Sequence, residues 1–434
     1  MKKYLIPLVL ALLCASARAQ YVPSPGNLAA REDFSSRRLG IFLHWGIYSA
    51  YAQGEWYLST HQLDPAIYSN AASGFYPSRF DAAAWAAAFK DAGAGYVTLT
   101  SRHHDGFSMF RTAASPFNIV DATPYGRDVL GELTAAVQAE GLRMHYYYSL
   151  LDWIRPDYPK GSSGVAKDAS QADYNHYLAF EKAQIKELLA YHPGALWFDG
   201  MWDHESEPDF PWQMESLYAY IHELAPDCLV GNNHHRATLE GEDFQMFERD
   251  LPGENHAGFS GGVSISASLP LETCETMNGA WGYRVEDQNY KSVKELVHLL
   301  VRATAKGANL LLNIGPQADG QLPAPALERL KGLGAWMREN GHTVNGCGAS
   351  GVPAQPWGVT TAGNGHLYVH ILDASALACN GRTAVIVLPF TGKVRSVSGP
   401  AGPVSFKQGK DGFLTLSFPA PDAGAIDTIL DIAL

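Results

Sequence analysis

Ala-Leu-Trp-Phe-Asp-Gly-Met-Trp, residues 195–202, is the stretch from which the fold of this 434-residue chain can be inferred. It follows His192-Pro193-Gly194, where a helical pattern ends, and it has the pattern of a short apolar strand that closes on Asp199 and a glycine. A carboxylate at the end of a buried strand needs partners or a task. Active sites lie at the carboxyl ends of parallel strands, so Asp199 is a catalytic candidate, the alternative being an Asp that caps the next loop.

Helical and strand patterns alternate on both sides of this stretch. Helices are predicted at 81–92, 127–140, 174–191, 212–224, 292–306 and 325–340, the first with Asp81 as its N-cap and the first two followed by Gly93 and Gly141. About eight apolar strands lie between them, which predicts a (β/α)8-type TIM barrel over residues 20–341. After Gly341, short alternating strands separated by Gly, Pro and Asn predict a small C-terminal antiparallel β-sandwich over residues 342–434.

Residues 1–19 have the features of a signal peptide. Lys2 and Lys3 precede an apolar run, and Ala17-Arg18-Ala19 offers a small-x-small cleavage site, so we expect cleavage after Ala19 and a periplasmic or secreted product. Removing these three positive charges changes the formal net charge from −12 to −15, which disfavours nucleic acid as a partner. No later stretch has the roughly 18 apolar residues of a membrane span. The spacing leaves open the disulfide pairing of the remaining cysteines, Cys228, Cys274, Cys347 and Cys379.

Polar residues recur where the predicted barrel strands end. The set comprises His44, His103, His104, Tyr148, Asp199, Asn232 and His234. A single histidine in such a place is usually satisfied by backbone in the core, but the coincidence of five strand ends favours one shared polar pocket.

Two chemistries could use this pocket. A metal site is disfavoured because no H-x-H opens the first strand and no H-E-x-x-H lies on a helix. In addition, adjacent His103 and His104 are expected to point to opposite sides of a strand. We therefore predict no metal and no cofactor. Glycoside hydrolysis instead needs two carboxylates across the scissile bond and neutral donors that hold sugar hydroxyls, and Asp199 supplies one carboxylate.

Six blocks of sequence, in order, resemble the signature of family 29 glycoside hydrolases, the retaining α-L-fucosidases. They are Gly-Ile-Phe-Leu-His-Trp-Gly (40–46), Gly-Glu-Trp-Tyr (54–57), Arg-His-His-Asp-Gly-Phe (102–107), Leu-Trp-Phe-Asp-Gly (196–200), Glu-Thr-Cys with Trp-Gly-Tyr (272–283), and Leu-Leu-Leu-Asn-Ile-Gly-Pro with Asp-Gly (310–320). Together these blocks are specific, and they extend over residues 38 to about 345.

The resemblance implies roles for individual residues. Asp199 would be the nucleophile that forms a fucosyl-enzyme ester. Fucose hydroxyls would contact His44, Glu55, His103 and His104, and the pocket would be shaped by Trp56, Tyr148, Trp197 and Trp281. His234 joins the substrate-binding set from its place after a strand. Because Asn232-Asn233-His234 stands where other members carry Asn-Asp-Arg, no sugar-binding arginine is assigned.

The acid/base residue is harder to assign, because its position shifts among family members. Candidates after Asp199 are Glu240, Glu242, Asp243, Glu248, Glu254 and Glu272. Residues 241–253, Gly-Glu-Asp-Phe-Gln-Met-Phe-Glu-Arg-Asp-Leu-Pro-Gly, resemble the stretch that holds this residue in the subfamily acting on α-1,3 and α-1,4 fucosides. We therefore predict Glu248, with Glu272 second. Burial beside Asp199 is expected to raise the pKa of Glu248 so that it is protonated while Asp199 is ionised.

The resemblance thus predicts a retaining exo-acting α-L-fucosidase whose substrate is a fucosylated oligosaccharide or glycoconjugate with α-1,3 or α-1,4 linkages. Two alternatives stay open: an α-1,2-fucosidase acting on xyloglucan-type side chains, and a fucose-binding barrel without catalysis. The presence of both predicted carboxylates argues against the second. The sequence leaves the oligomeric state open.

Overall fold

A computed structural model describes residues 21–400 and 404–434. The predicted signal peptide, residues 1–19, lies outside these described residues. Among them, no helix is both long and apolar enough to cross a membrane. All four cysteines that the structure describes are free, and the most exposed is Cys379.

Eight parallel strands form the first sheet. They are β1 (Leu39–Leu43), β2 (Tyr96–Arg102), β3 (Arg143–Ser149), β4 (Ala195–Asp199), β5 (Leu229–Asn233), β6 (Gln245–Glu248), β7 (Leu271–Thr276) and β8 (Ala308–Ile314). Neighbouring strands pair in the order β5-β4-β3-β2-β1-β8-β7-β6, so the sheet curves into a nearly closed barrel. The predicted barrel is therefore confirmed.

Helices cover the outside of this barrel, and short ones lie in its loops. They are α1 (Pro25–Ser36), α2 (Tyr48–Tyr51), α3 (Tyr57–Thr60), α4 (Pro65–Ser69), α5 (Ala82–Asp91), α6 (Val129–Ala139), α7 (Tyr174–Leu189), α8 (Met214–Leu224), α9 (Val293–Ala305) and α10 (Ala324–Asn340). The caps expected from sequence are present: Asp81 accepts a hydrogen bond from the backbone N–H of Ala84, and Ser292 forms a capping box with Glu295.

The seam of the barrel lies between β5 and β6, where a side chain replaces part of the strand ladder. The backbone N–H of Asp243 donates to Val230 O at 2.7 Å, and Val230 N donates to the Asp243 carboxylate at 2.8 Å. Arg31 and His222 also bond this carboxylate, at 2.6 and 2.9 Å. Burial alone would raise the pKa of Asp243, but these partners lower it below its ordinary value. Asp243 is therefore a structural carboxylate.

The C-terminal strands form two antiparallel sheets. They are β9 (Gly348–Ala349), β10 (Gly358–Gly363), β11 (His366–Ile371), β12 (Ala378–Asn380), β13 (Thr383–Pro389), β14 (Ser396–Ser398), β15 (Ser405–Gln408), β16 (Phe413–Pro419) and β17 (Thr428–Ala433). One sheet has the order β14-β17-β11-β10-β9 and the other β12-β13-β16-β15. Apolar side chains of both sheets, including Val369, Ile386 and Leu416, form their shared core. The predicted β-sandwich is confirmed.

Candidate active site

A cavity of about 470 Å³ opens at the carboxyl ends of the barrel strands. Its lining residues are Phe42, His44, Trp56, His103, His104, Tyr147, Ser162, Trp197, Asp199, Trp202, Glu205, Asn233, His235, Glu248, Phe259, Cys274 and Trp281. The size is within the range of small-molecule sites, and aromatic walls with a few converging polar groups are typical of them.

Strand alternation decides which side chains reach this cavity. On β4, Trp197 and Asp199 face the barrel interior, while Phe198 packs outward among the residues that contact the helices. Asp199 pairs in register with Ser149 of β3 and Asn233 of β5. The ends of β3, β4 and β5 therefore present their side chains at one level.

Asp199 has both carboxylate oxygens held by donors. Its Oδ1 accepts from Gly200 N at 2.8 Å and from Trp202 Nε1 at 3.0 Å. Its Oδ2 accepts from Tyr147 OH at 2.9 Å and lies 3.5 Å from His104 Nε2. Gly200 has φ of 102°, a left-handed conformation that glycine adopts without strain and that accompanies the backbone contact to Oδ1. Asp199 is therefore fixed in orientation.

Glu248 approaches the same point from β6. The side-chain Nδ2 of Asn233 lies 2.8 Å from Glu248 Oε2 and 3.4 Å from Asp199 Oδ1. The two oxygens can therefore be no farther apart than the sum of these distances, which is below the roughly 6.5 Å at which inverting glycosidases begin. This upper bound is compatible with the roughly 5–5.5 Å that separates nucleophile and acid/base in retaining enzymes.

The charge state of this pair is the reverse of the one predicted. Burial, and then the neighbouring charge of Glu248, raise the pKa of Asp199 to about 6. Burial acts in the same direction on Glu248, but the hydrogen bond and charge of His235, together with Asn233 and Arg249, lower its pKa below the ordinary value. The expectation of a raised pKa at Glu248 is wrong because it counted burial and omitted the donors beside that carboxylate.

Three histidines form one side of the cavity. Burial lowers the pKa of His44 to about 3 and lowers those of His103 and His104 well below the ordinary value, so all three are neutral near pH 7. His44 Nδ1 lies 2.7 Å from Asn313 Oδ1, and His104 Nδ1 lies 2.6 Å from Ser149 Oγ. His103 Nδ1 is buried without a hydrogen-bond partner among the described residues. Neutral imidazoles can donate to sugar hydroxyls or accept from them.

His103 and His104 both line the cavity, with ring centroids 4.1 Å apart. The prediction that they point to opposite sides is wrong, because β2 ends at Arg102 and strand alternation no longer applies beyond it. Within residues 21–400 and 404–434, no three His, Cys, Asp or Glu side chains gather in an arrangement that could hold a metal ion.

Tyr148 does not line the cavity, contrary to the prediction. Its hydroxyl donates to Gln184 Oε1 of α7 at 2.9 Å, on the outside of the barrel. Tyr147 occupies the predicted position and donates to Asp199. The two tyrosines are adjacent, so they face opposite sides of β3, and the residue that shares its face with Ser149 is Tyr147.

His234 is also outside the cavity. Its Nε2 lies 2.9 Å from Glu242 Oε1, and both side chains are buried. His235 lies at the cavity instead, with Nε2 3.2 Å from Glu248 Oε2. Asn233 faces the cavity, so alternation along the chain directs His234 outward and His235 inward, and the prediction is off by one residue.

The other predicted substrate contacts divide into two groups. Trp56, Trp197 and Trp281 line the cavity as expected. Glu55 does not: it is buried and accepts from Gly282 N at 2.6 Å, beside Trp281. Glu55 therefore holds the loop that carries Trp281.

The remaining acid/base candidates are engaged away from Asp199. Glu272 lies inside the barrel, where its oxygens accept from Trp197 Nε1 at 2.8 Å and from Tyr96 OH at 2.6 Å. Burial raises its pKa to about 7. Glu240 bonds the backbone N–H of Tyr21, Glu242 bonds His234, Asp243 closes the seam, and Glu254 lies 3.6 Å from His256. Of the six candidates, Glu248 alone lines the cavity.

Among the cavity residues that sequence reasoning missed, four hydrogen-bond Asp199 or Glu248: Tyr147, Trp202, Asn233 and His235. Strand alternation counted from Asp199 could have found Tyr147 and Asn233, since both share its inward face. Trp202 and His235 follow strand ends in turns, where no sequence period fixes the direction of a side chain.

Comparisons with known proteins agree with this geometry. The sequence profile of a family described as α-L-fucosidase matches residues 9–342. An α-L-fucosidase of Branchiostoma floridae is 30% identical over 368 residues, covering 78% of each chain. Tissue α-L-fucosidase of Rattus norvegicus is 29% identical over 82% of this chain and 79% of its own.

Solved structures give the same result. α-L-Fucosidase isoenzyme 1 from Paenibacillus thiaminolyticus superposes with a TM-score of 0.82 at 32% identity, over 94% of this chain and 99% of that one. A family 29 α-L-fucosidase from Bacteroides thetaiotaomicron superposes with a TM-score of 0.80 at 25% identity, over 96% and 97% of the two chains. That structure is a covalent intermediate trapped with 2-fluoro-fucosyl fluoride in a glutamate-to-glutamine variant.

Proposed function

This chain belongs to the α-L-fucosidase family of glycoside hydrolases, and from that premise we propose that it is a retaining, exo-acting enzyme. It removes terminal α-L-fucosyl residues from fucosylated glycans by double displacement. The observation that carries this proposal is the contact of one amide, Asn233 Nδ2, with the carboxylates of both Asp199 and Glu248. Two carboxylates that share one amide favour the close spacing of a retaining pair over the roughly 6.5–9.5 Å of an inverting one.

In the first step, the Asp199 carboxylate attacks the anomeric carbon. The bond between that carbon and the glycosidic oxygen breaks, its electron pair moves to the oxygen, and Glu248 donates a proton to the departing alcohol. In the second step, Glu248 takes a proton from water, the water oxygen bonds to the anomeric carbon, and the ester to Asp199 is released. Both carboxyl groups then regain their starting states.

In the free enzyme, burial and the charge of Glu248 raise the pKa of Asp199, and the donors around Glu248 lower the pKa of that carboxyl. The reaction needs Asp199 ionised and Glu248 protonated. Because the two carboxyls lie so close together, the pH dependence of activity reports the pair rather than either residue.

Fucose recognition would use the neutral face of the cavity. His44, His103 and His104 present imidazole nitrogens that can bond hydroxyls, and aromatic walls from Trp56 and Trp281 can contact the apolar 5-methyl side of a 6-deoxy sugar. A buried site that bonds each hydroxyl discriminates strongly against sugars that lack one.

For the linkage, we propose α-1,3 and α-1,4 fucosides of branched glycans. The support is the resemblance of residues 241–253 to the corresponding stretch of that subfamily and the location of Glu248 of this stretch at the cavity. Hydrolysis of Lewis-type trisaccharides at a kcat/KM at least tenfold above that for a 2-fucosylated lactose is the expected result. The opposite preference would contradict the linkage and leave the fucosidase activity intact.

For the location of the enzyme, we propose the periplasm or the exterior, on the basis of residues 1–19. N-terminal sequencing of protein recovered from a bacterial host should begin at Gln20. Recovery of the full-length chain from the cytoplasm alone would contradict this proposal.

The two catalytic roles can be separated by azide. In Asp199→Ala, azide can replace the nucleophile directly, and the expected product is the inverted β-fucosyl azide. In Glu248→Ala, the fucosyl ester still forms from an activated aryl fucoside, and azide then gives the retained α-fucosyl azide. NMR of the products distinguishes the two anomers. Identical azides from both variants would contradict the assignment.

A further inference from the structure

His235 is a cavity residue to which the reaction outlined above gives no task. It follows the end of β5, its side chain is 18% exposed, and its Nε2 lies 3.2 Å from Glu248 Oε2. The same Oε2 accepts from Asn233 Nδ2. Among the described residues, none hydrogen-bonds the other oxygen, Oε1.

The imidazole is held from its other side as well. Its ring stacks on Phe259, with centroids 4.9 Å apart and planes inclined by 13°. Phe259 is 42% exposed and lines the cavity rim. The left-handed backbone of His235, with φ of 58°, is costly for a residue other than glycine, and such conformations persist where surrounding contacts enforce them.

We propose that His235 is the positioning residue of the acid/base carboxylate: together with Asn233 it holds Oε2 of Glu248, so that Oε1 is the oxygen presented to the glycosidic bond. This inference rests on the proposed role of Glu248. When Glu248 gives its proton to the leaving alcohol, the N–H of His235 bonds the carboxylate that forms. When Glu248 takes a proton from water in the second step, that bond weakens.

The proposal has a consequence for pH dependence. The charged groups around His235 are Glu248 and Arg249 at the end of β6, Asp199 at the end of β4, and Glu205 with Arg236 at the rim. The carboxylate pair must retain one proton to react, and the alkaline limb of kcat/KM reports the loss of that proton from the free enzyme. Because His235 stabilises ionised Glu248, replacing His235 strengthens proton binding by the carboxylate pair. The alkaline limb therefore moves to higher pH.

The test compares His235→Asn with His235→Gln. Asparagine tolerates the left-handed backbone but is too short to reach Glu248, whereas glutamine can still donate to it. Using a phenyl fucoside, whose leaving group needs protonation, we expect His235→Asn to lower kcat about tenfold or more and to shift the alkaline limb upward by about 0.5 to 1 pH unit. His235→Gln should recover most of the lost kcat.

The proposal would be overturned if the alkaline limb of kcat/KM in His235→Asn coincides with that of the unaltered enzyme while the two proteins have equal thermal stability. So would an equal loss of kcat in both variants. Glu248→Ala with azide is run in parallel: if it yields no α-fucosyl azide, the role of Glu248 itself is wrong. If Glu248→Ala does yield α-fucosyl azide and the alkaline limb of His235→Asn is not shifted, only the inference about His235 is wrong.

Discussion

The two ends of the barrel each bury carboxylates, imidazoles and tyrosines, but they pair them differently. Near the amino-terminal end, Glu272 accepts hydrogen bonds on both oxygens from Tyr96 and Trp197. At the carboxyl-terminal end, Glu248 Oε1 and His103 Nδ1 have no partner among the described residues. In the described part of the chain, buried polar atoms without a partner also occur away from the cavity, at Asn27 Nδ2 and both carboxylate oxygens of Glu181, so what distinguishes the carboxyl-terminal end is that its polar groups converge on one cavity.

Cavity size does not make this distinction. A cavity of about 1110 Å³, larger than the one at the carboxyl-terminal end, lies at the amino-terminal end, lined by residues such as Asp33, Arg37 and Arg143. Phe34 of α1 packs there against Tyr96 and Phe244 and fills the barrel interior. The comparison shows that the convergence of carboxylates, imidazoles and aromatic rings on one cavity, rather than cavity size, marks the candidate site.

We expect the largest difference in turnover between two variants that each replace a carboxylate at one end of the barrel. Asp199→Ala removes the nucleophile, and we expect turnover of an aryl fucoside to fall by about 10³-fold or more. Glu272→Gln keeps the shape, and its amide oxygen can accept from Trp197 Nε1 while its amide nitrogen donates to Tyr96 OH, so its turnover should fall less than about tenfold. Steady-state kinetics on both variants measures the contrast. Comparable losses would show that the interior carboxylate is part of the chemistry.

A sharper comparison uses two adjacent tyrosines on opposite faces of β3. Tyr147→Phe removes the hydroxyl that donates to Asp199, and we expect kcat/KM to fall by about 10- to 100-fold. Tyr148→Phe removes a hydroxyl that bonds Gln184 outside the barrel. It should leave kcat/KM nearly unchanged and lower the free energy of unfolding by about 1 kcal/mol. A larger kinetic loss in Tyr148→Phe would contradict the inward assignment of Tyr147.

The last prediction concerns the free energy of unfolding and its pH dependence. Burial raises the pKa of Glu272 from 4.5 to about 7 in the folded protein, so the folded state binds a proton that the unfolded state releases between these values. Stability from this group is therefore present below about pH 4.5 and is lost as the pH rises to about 7. Glutamine does not titrate, so Glu272→Gln should gain on the order of 3 kcal/mol relative to the unaltered protein across that window.

Urea unfolding of both proteins at pH 4.5 and pH 7.5 measures that difference, since all other titrating groups are shared. If the difference in unfolding free energy between the two proteins is the same at both pH values, Glu272 is ionised in the folded state. Both ends of the barrel would then hold an ionised carboxylate.

Some of the site was predictable from sequence because it depends on local pattern. The run 195–199 is apolar and ends in a carboxylate, and the structure has β4 over these residues with Asp199 at the cavity. Strand β8, Ala308–Ile314, is centred on the apolar run Leu310–Leu312, and the asparagines that flank this run, Asn309 and Asn313, are buried as well. Short strands β9 and β12 were not predicted, since two or three residues show no usable period.

Other parts of the site depended on which side of a turn or strand a residue faces. The predicted Tyr148 and His234 each point away from the cavity, and their neighbours Tyr147 and His235 take those places. In both places the prediction is off by one residue, and an error of one residue reverses the face of a strand. Resemblance to a family locates a block of sequence but does not fix which face of the strand each of its residues takes.

The sequence by itself determined the barrel, the sandwich and the carboxylate at the end of β4, because hydrophobic period and residue type act locally. The tertiary structure decided which second carboxylate lies beside Asp199 and which of the two has the higher pKa. Both depend on distances between residues far apart in the chain: Asn233 contacts both carboxylates, and His235 and Arg249 favour the ionised form of Glu248. Electrostatic energy depends on separation in space and on burial, and neither is written in sequence order.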